Sequence, residues 1–191
     1  MWVCENSTMC IFIHAAVPKD TDIQRLTPVF KQHGWRVTLA ENESLQKQMP
    51  EDIVLRLTGV CDCSTVLGRQ RPEILEDDLK KPTDEVARYK RKGWSQAKID
   101  RAMADKMRHQ ETQTEVDKSQ QTRQLSAWIS FIEDVLQQKT ASKFGVLYHM
   151  FNGSLVDDKV IIRHVHTNST KNLERHLSLM EEDSLYWFKL K

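Results

Sequence analysis

An α/β fold, with a mixed β-sheet and packed helices, is predicted by three features of the sequence. Short apolar or alternating runs occur toward both ends, at 10–17, 53–57, 144–151 and 185–190. Segments with apolar residues at helical spacing lie between them. A charged middle stretch, residues 69–124, lacks β-branched runs and reads as an inserted or appended helical element built around a basic helical pair. Strand-like and helical segments in one chain favour layered α/β packing. The 191 residues are read as one domain, 1–191, carrying 69–124 as its insertion or appendage; this length can bury roughly 70% of the unfolded surface.

The elements follow in order. Residues 1–8 read as a lead-in, with Met9 an alternative start. Cys10–Val17 is an apolar run closed by Pro18, as expected of a buried strand. Asp20 or Thr21 can cap a helix whose apolar face is Ile23, Leu26, Val29 and Phe30; Pro28 predicts a kink or a restart, and Gly34 an end. Trp35, Val37 and Leu39 alternate as a second strand, and a polar link runs to Pro50. Ile53, Leu55 and Leu57 form a third strand that Gly59 closes.

Two helices are predicted in the charged stretch, Thr83–Lys92 and Ser95–Arg108, joined at Gly93-Trp94. Gly93 can end the first, Ser95 can cap the second, and Trp94 can staple onto Ile99. Gln110–Gln124 is a helical extension or a connector, and Leu125–Leu136 is a core-facing helix. Phe144–Phe151 is a strand followed by Asn152-Gly153, a hairpin signal. Val160–Thr167 is read as a strand with Val160, Ile162, His164 and His166 on one face. Thr170–Met180 is helix-like and Leu185–Leu190 a last strand.

Composition narrows the function classes. A net charge of +1 means that electrostatic attraction to nucleic acid has to come from a local patch. No apolar run approaches the roughly 20 residues that span a bilayer, so no membrane segment is expected. The opening residues lack a basic signal-peptide start, which makes the cytoplasm the expected compartment. The four cysteines, at 4, 10, 61 and 63, are accordingly read as reduced thiols.

Cys61-Asp62-Cys63 is the most suggestive chemical feature, because it directly follows a predicted strand, where α/β proteins commonly place ligands. The stretch Cys63-Ser-Thr-Val-Leu-Gly-Arg69 resembles the Cys-x5-Arg loop of the cysteine phosphatases. That resemblance implies Cys63 as nucleophile, Arg69 gripping phosphoryl oxygens, and backbone N–H groups cradling the phosphate. The sequence departs from that pattern at Asp62, which stands where the family has histidine and whose charge disfavours a thiolate. It departs again at Gly68, which replaces a mid-loop glycine. A second reading is a zinc site in which Cys61 and Cys63 are joined by His164 and His166, with His14 or His149 as substitutes. A third treats the cysteines as small buried hydrophobes and lets Asp62, Ser64 and Thr65 cap a helix near Val66.

Two further candidates complete the reading. If Met9 were the start, Cys10 would resemble the cysteine of N-terminal-nucleophile amidotransferases, although Ile11 stands where those enzymes have glycine. The basic helices over 83–108, with Arg88, Arg91 and Arg101, offer a surface for a protein partner; nucleic acid is disfavoured because the surrounding chain is not basic. The leading expectation is a non-catalytic binding or regulatory protein acting through 83–108. The alternative is a cysteine- or zinc-dependent enzyme at Cys61–Arg69.

Overall fold

A computed structural model describes residues 9–68 and 82–190. The chain divides into two compact units, residues 1–70 with 124–191, and residues 71–123. The fold is α/β, with a mixed six-stranded sheet in the first unit.

Its strands are β1 (Met9–Pro18), β2 (Thr38–Leu39), β3 (Asp52–Arg56), β4 (Phe144–Asn152), β5 (His164–Ser169) and β6 (Ser184–Lys189), ordered β2-β3-β1-β4-β6-β5. Every neighbouring pair is antiparallel except β5 with β6. Helices α1 (Ile23–Gln32), α2 (Glu43–Gln48), α3 (Pro82–Arg91), α4 (Gln96–Gln137) and α5 (Leu173–Ser178) complete the elements, with a 3-10 turn at Thr170–Asn172.

Alternation along the central strands separates two cores. Ile11, Ile13, Ala15 and Val17 of β1 join Val146 and Tyr148 of β4 beneath α1, the 128–136 stretch of α4, and α5. Burying each large aliphatic or aromatic side chain there contributes about 2 kcal/mol. The opposite face gathers Ala16, Val54, Leu147, Phe151, Leu185 and Trp187 under Leu45 and Met49 of the α2 segment and under Val160.

Several expectations are modified. Asp22 caps α1 by accepting from Gln24 and Arg25 N–H (3.0 and 3.3 Å), and the helix runs through Pro28. The polar link before Pro50 contains α2, whose cap is Asn42, accepting from Leu45 N–H at 3.0 Å. Asn152-Gly153 does not open a hairpin, because β4 pairs with β1 and β6 and not with β5. Instead the chain crosses the second face, held by α2. Asn42 Nδ2 donates to the carbonyls of Leu155 and Asp158, Ser44 Oγ accepts from Val160 N–H, and Gln48 bonds both Val160 O and Ile162 N–H. Val160 and Ile162 thus lie outside the strand, which begins at His164.

In the second unit, α3 and the first part of α4 flank Gly93, which adopts a left-handed φ of 72° as its position requires. Trp94 stacks on Tyr89 at 4.5 Å between ring centroids, and Lys98 lies over the Trp94 ring at 4.2 Å. Ile99 is buried. Beyond Arg108 the helix continues without a break, so 110–124 belongs to α4. Lys80 and Lys81, with the rest of 69–81, lie outside the described residues.

Candidate functional site

Strand β3 leaves β1 at the pair Arg56–His14, so the N-terminal half of β1 loses its neighbour on that side. The turn after β3 takes the empty place. Asp62 N–H donates to Ile11 O at 2.7 Å, and the Asp62 carboxylate accepts from the buried Ile13 N–H at 2.8 Å. Ile11 N–H in turn donates to Cys63 Sγ at 3.2 Å. The Cys-Asp-Cys turn is therefore a substitute strand, matching an edge whose polar groups would otherwise be left unpaired.

The turn is fastened internally as well. Thr65 N–H and Thr65 Oγ1 both donate to Asp62 O (2.9 and 2.8 Å), and Val66 N–H donates to Gln124 Oε1 at 2.7 Å. Gly68 packs on the Asp62 carbonyl so closely that an added Cβ would lie 2.0 Å from its oxygen. Asp62 is 1% exposed. Burial pushes its carboxyl up to about 6, while the Ile13 N–H and the Thr58 hydroxyl pull it partly back.

Asp62→Ala would leave the Ile13 N–H buried without an acceptor and is expected to lower stability by about 2 kcal/mol in denaturant unfolding. Asp62→Asn keeps an oxygen at the same place and carries no charge, so it should hold near wild-type stability. Equal losses in the two variants would show that the edge bond matters little.

This architecture brings sulfur atoms together. Cys10, on β1, presents its Sγ to those of Cys61 and Cys63, all three within 4.8 Å of one another and each half-buried. The sequence suggests a different role for Cys10, as a terminal nucleophile; its pairing with a turn some fifty positions away comes from strand register, which no local motif announces. Arg69 and Cys4 lie outside the described residues. The expected histidine ligands are placed elsewhere. His164 and His166 are exposed on the edge strand β5, and His166 stacks on Tyr186 at 4.6 Å. Strand β5 lies three positions from β1 in the sheet, roughly 14 Å at the usual strand spacing. The two histidines are thus not brought to Cys61 and Cys63.

The substitutes are also placed elsewhere. His149 Nδ1 bonds Asp183 Oδ1 at 2.6 Å, and Arg163 Nε approaches the other carboxylate oxygen at 3.3 Å. Asp183, with a left-handed φ of 60°, also donates its N–H to Tyr148 O and accepts from Arg163 N–H. Within the acidic run Glu181-Glu182-Asp183, Asp183 is a buried clip tying β4 to the start of β6. His14 lines a pocket on the second face of the sheet.

No protein-family model, curated protein or solved structure matches the chain. Among the described residues, no helix is long and apolar enough to cross a membrane.

Proposed function

We propose that the chain is a metal-binding protein in which Cys10, Cys61 and Cys63 hold a thiophilic divalent cation, zinc foremost. The observation that carries this reading is the approach of the three sulfur atoms to within 4.8 Å of one another. Thiolates bound to zinc at about 2.3 Å lie roughly 3.8 Å apart in a tetrahedron, so only a small contraction is needed. The Ile11 N–H aimed at Cys63 Sγ favours the charged sulfur that binds metal. The reading takes the thiols as reduced, as in the cytoplasm, and three protein sulfurs leave one coordination position for a further ligand. The basic helices α3 and α4 display exposed arginines at 88, 91 and 101 but, among the described residues, no metal-ligating cluster. Partner binding through 83–108 therefore takes second place, resting on sequence alone.

Elemental analysis of the full chain purified under reducing conditions is expected to give one zinc per chain. Cobalt substitution should produce the intense near-ultraviolet sulfur-to-metal absorption of bound thiolates. Cys61→Ser and Cys63→Ser should each lower the stoichiometry and the thermal midpoint. Metal-free protein that takes up neither ion, with a midpoint indifferent to chelator, would remove the proposal.

A further inference from the structure

The second face of the sheet holds two buried polar atoms, His14 Nδ1 and Arg56 Nε, that no described residue hydrogen-bonds. Strand register sets Thr38 opposite Arg56, and Arg56 opposite His14. Opposed residues of antiparallel strands share a face, with Cβ atoms about 5 Å apart. All three line a pocket of about 210 Å³. His14 is only 3% exposed, yet its Nδ1 has no hydrogen-bond partner among the described residues, and Arg56 Nε is buried in the same condition. None of the ion pairs among the described residues uses Arg56.

Such an arrangement is costly as it stands. A buried polar group without a partner destabilises a fold, and here two such atoms belong to residues that line one cavity. Two nitrogen-bearing side chains directly opposed, with no ion-pair partner for Arg56 among the described residues, suit an acceptor from outside. We propose that this pocket binds a small monocarboxylate with a short apolar body.

The guanidinium of Arg56 presents a donor fork that matches the two oxygens of a carboxylate. The Thr38 hydroxyl offers a further donor beside it. Leu39, Ala40, Leu155 and Val156 supply the apolar wall. Glu41, exposed and also lining the pocket, repels a second negative charge and so favours a monoanion over phosphate. The volume equals about seven waters at roughly 30 Å³ each, room for a five-carbon acid. This site is independent of the cysteine cluster.

The test uses the full chain and three probes, isovalerate, its neutral analogue isovaleramide, and inorganic phosphate, followed by heteronuclear NMR. Isovalerate is expected to give saturable shifts at Thr38, Arg56 and His14. Isovaleramide and phosphate should each bind at least about tenfold more weakly, since both oxygens and the single charge contribute. Arg56→Gln should weaken isovalerate by about tenfold or more, and Arg56→Lys, which keeps the charge but loses the fork, by less. If Arg56→Gln fails to fold, the comparison of isovalerate with isovaleramide on the wild-type chain decides alone. Equal binding of those two, absence of saturable shifts at the three residues, or saturation by phosphate without isovalerate would each overturn the proposal.

Discussion

Gly68→Ala is expected to lower the stability of the chain by about 3 kcal/mol and to abolish the proposed zinc uptake with it. The new methyl carbon would sit 2.0 Å from Asp62 O, 2.8 Å from the carbonyl carbon and 3.3 Å from Cys63 N. All three are backbone atoms, so no rotamer change relieves the clash. The carbonyl cannot swing aside cheaply either, because Thr65 holds it with two hydrogen bonds. The turn must open, and overpacking of this kind typically costs 1–3 kcal/mol or more. Opening it also carries Cys61 and Cys63 away from Cys10, and that couples stability to metal binding. In a chain of this size the loss corresponds to a fall of roughly 10 °C in thermal midpoint. Gly59→Ala is the control, since nothing lies within 4 Å of a Cβ built there. If the two variants unfolded at the same temperature, the close packing of Gly68 on Asp62 would carry no energetic weight.

The contrast between these glycines shows what could be read from residues alone. Apolar alternation with terminal Pro or Gly located β1, β3 and β4 closely, because a strand buried on one or both faces must repeat with period two. The helical spacing of Leu125, Trp128, Ile132 and Leu136 located the buried part of α4 for the corresponding reason. Helix α2 escaped notice because it buries only Leu45 and depends on a cap, Asn42, that also serves the distant 155–158 backbone. The hairpin at Asn152-Gly153 failed through the same distant bonds. Gly153 does take a positive φ of 106°, yet Ser44 and Gln48 hold the following chain to α2 rather than beside β4. At the candidate site, the turn and its place after a strand were legible. Its third sulfur and the opposition of His14 to Arg56 were not, since both are products of register between segments some forty to fifty residues apart. His164 and His166 misled because period two puts them on one face of a strand without saying which strand lies beside it.

Acidification provides the second large effect. Burial holds the His14 imidazole well below its ordinary value of 6.5, at about 4, with His149 and Arg56 adding repulsion and the Phe12 carbonyl acting weakly the other way. The unfolded chain therefore takes up a proton near pH 6.5 that the folded chain refuses until about pH 4. The stability contributed by the neutral ring is complete above 6.5 and is lost as pH falls through that window. Over a span of about 2.5 pH units, at roughly 1.4 kcal/mol per unit, the loss is about 3.5 kcal/mol. Asp62 works in the opposite direction: its raised carboxyl, at about 6 against an ordinary 3.8, gives stability that grows as pH falls through that range. The two contributions are of similar size, so together they leave the wild-type curve shallow between pH 6 and 4. His14→Leu is expected to unmask them. It should become more stable relative to wild type as pH drops from 6.5 to 4, and chemical denaturation at successive pH values measures the difference. A difference independent of pH would mean that the ring takes up its proton in the folded chain as readily as in the unfolded one. Isovalerate adds a second arm. A carboxylate seated against Arg56 would offset the repulsion that helps keep His14 neutral, so saturating isovalerate should raise the folded-state pKa and shrink the acid loss in the wild type.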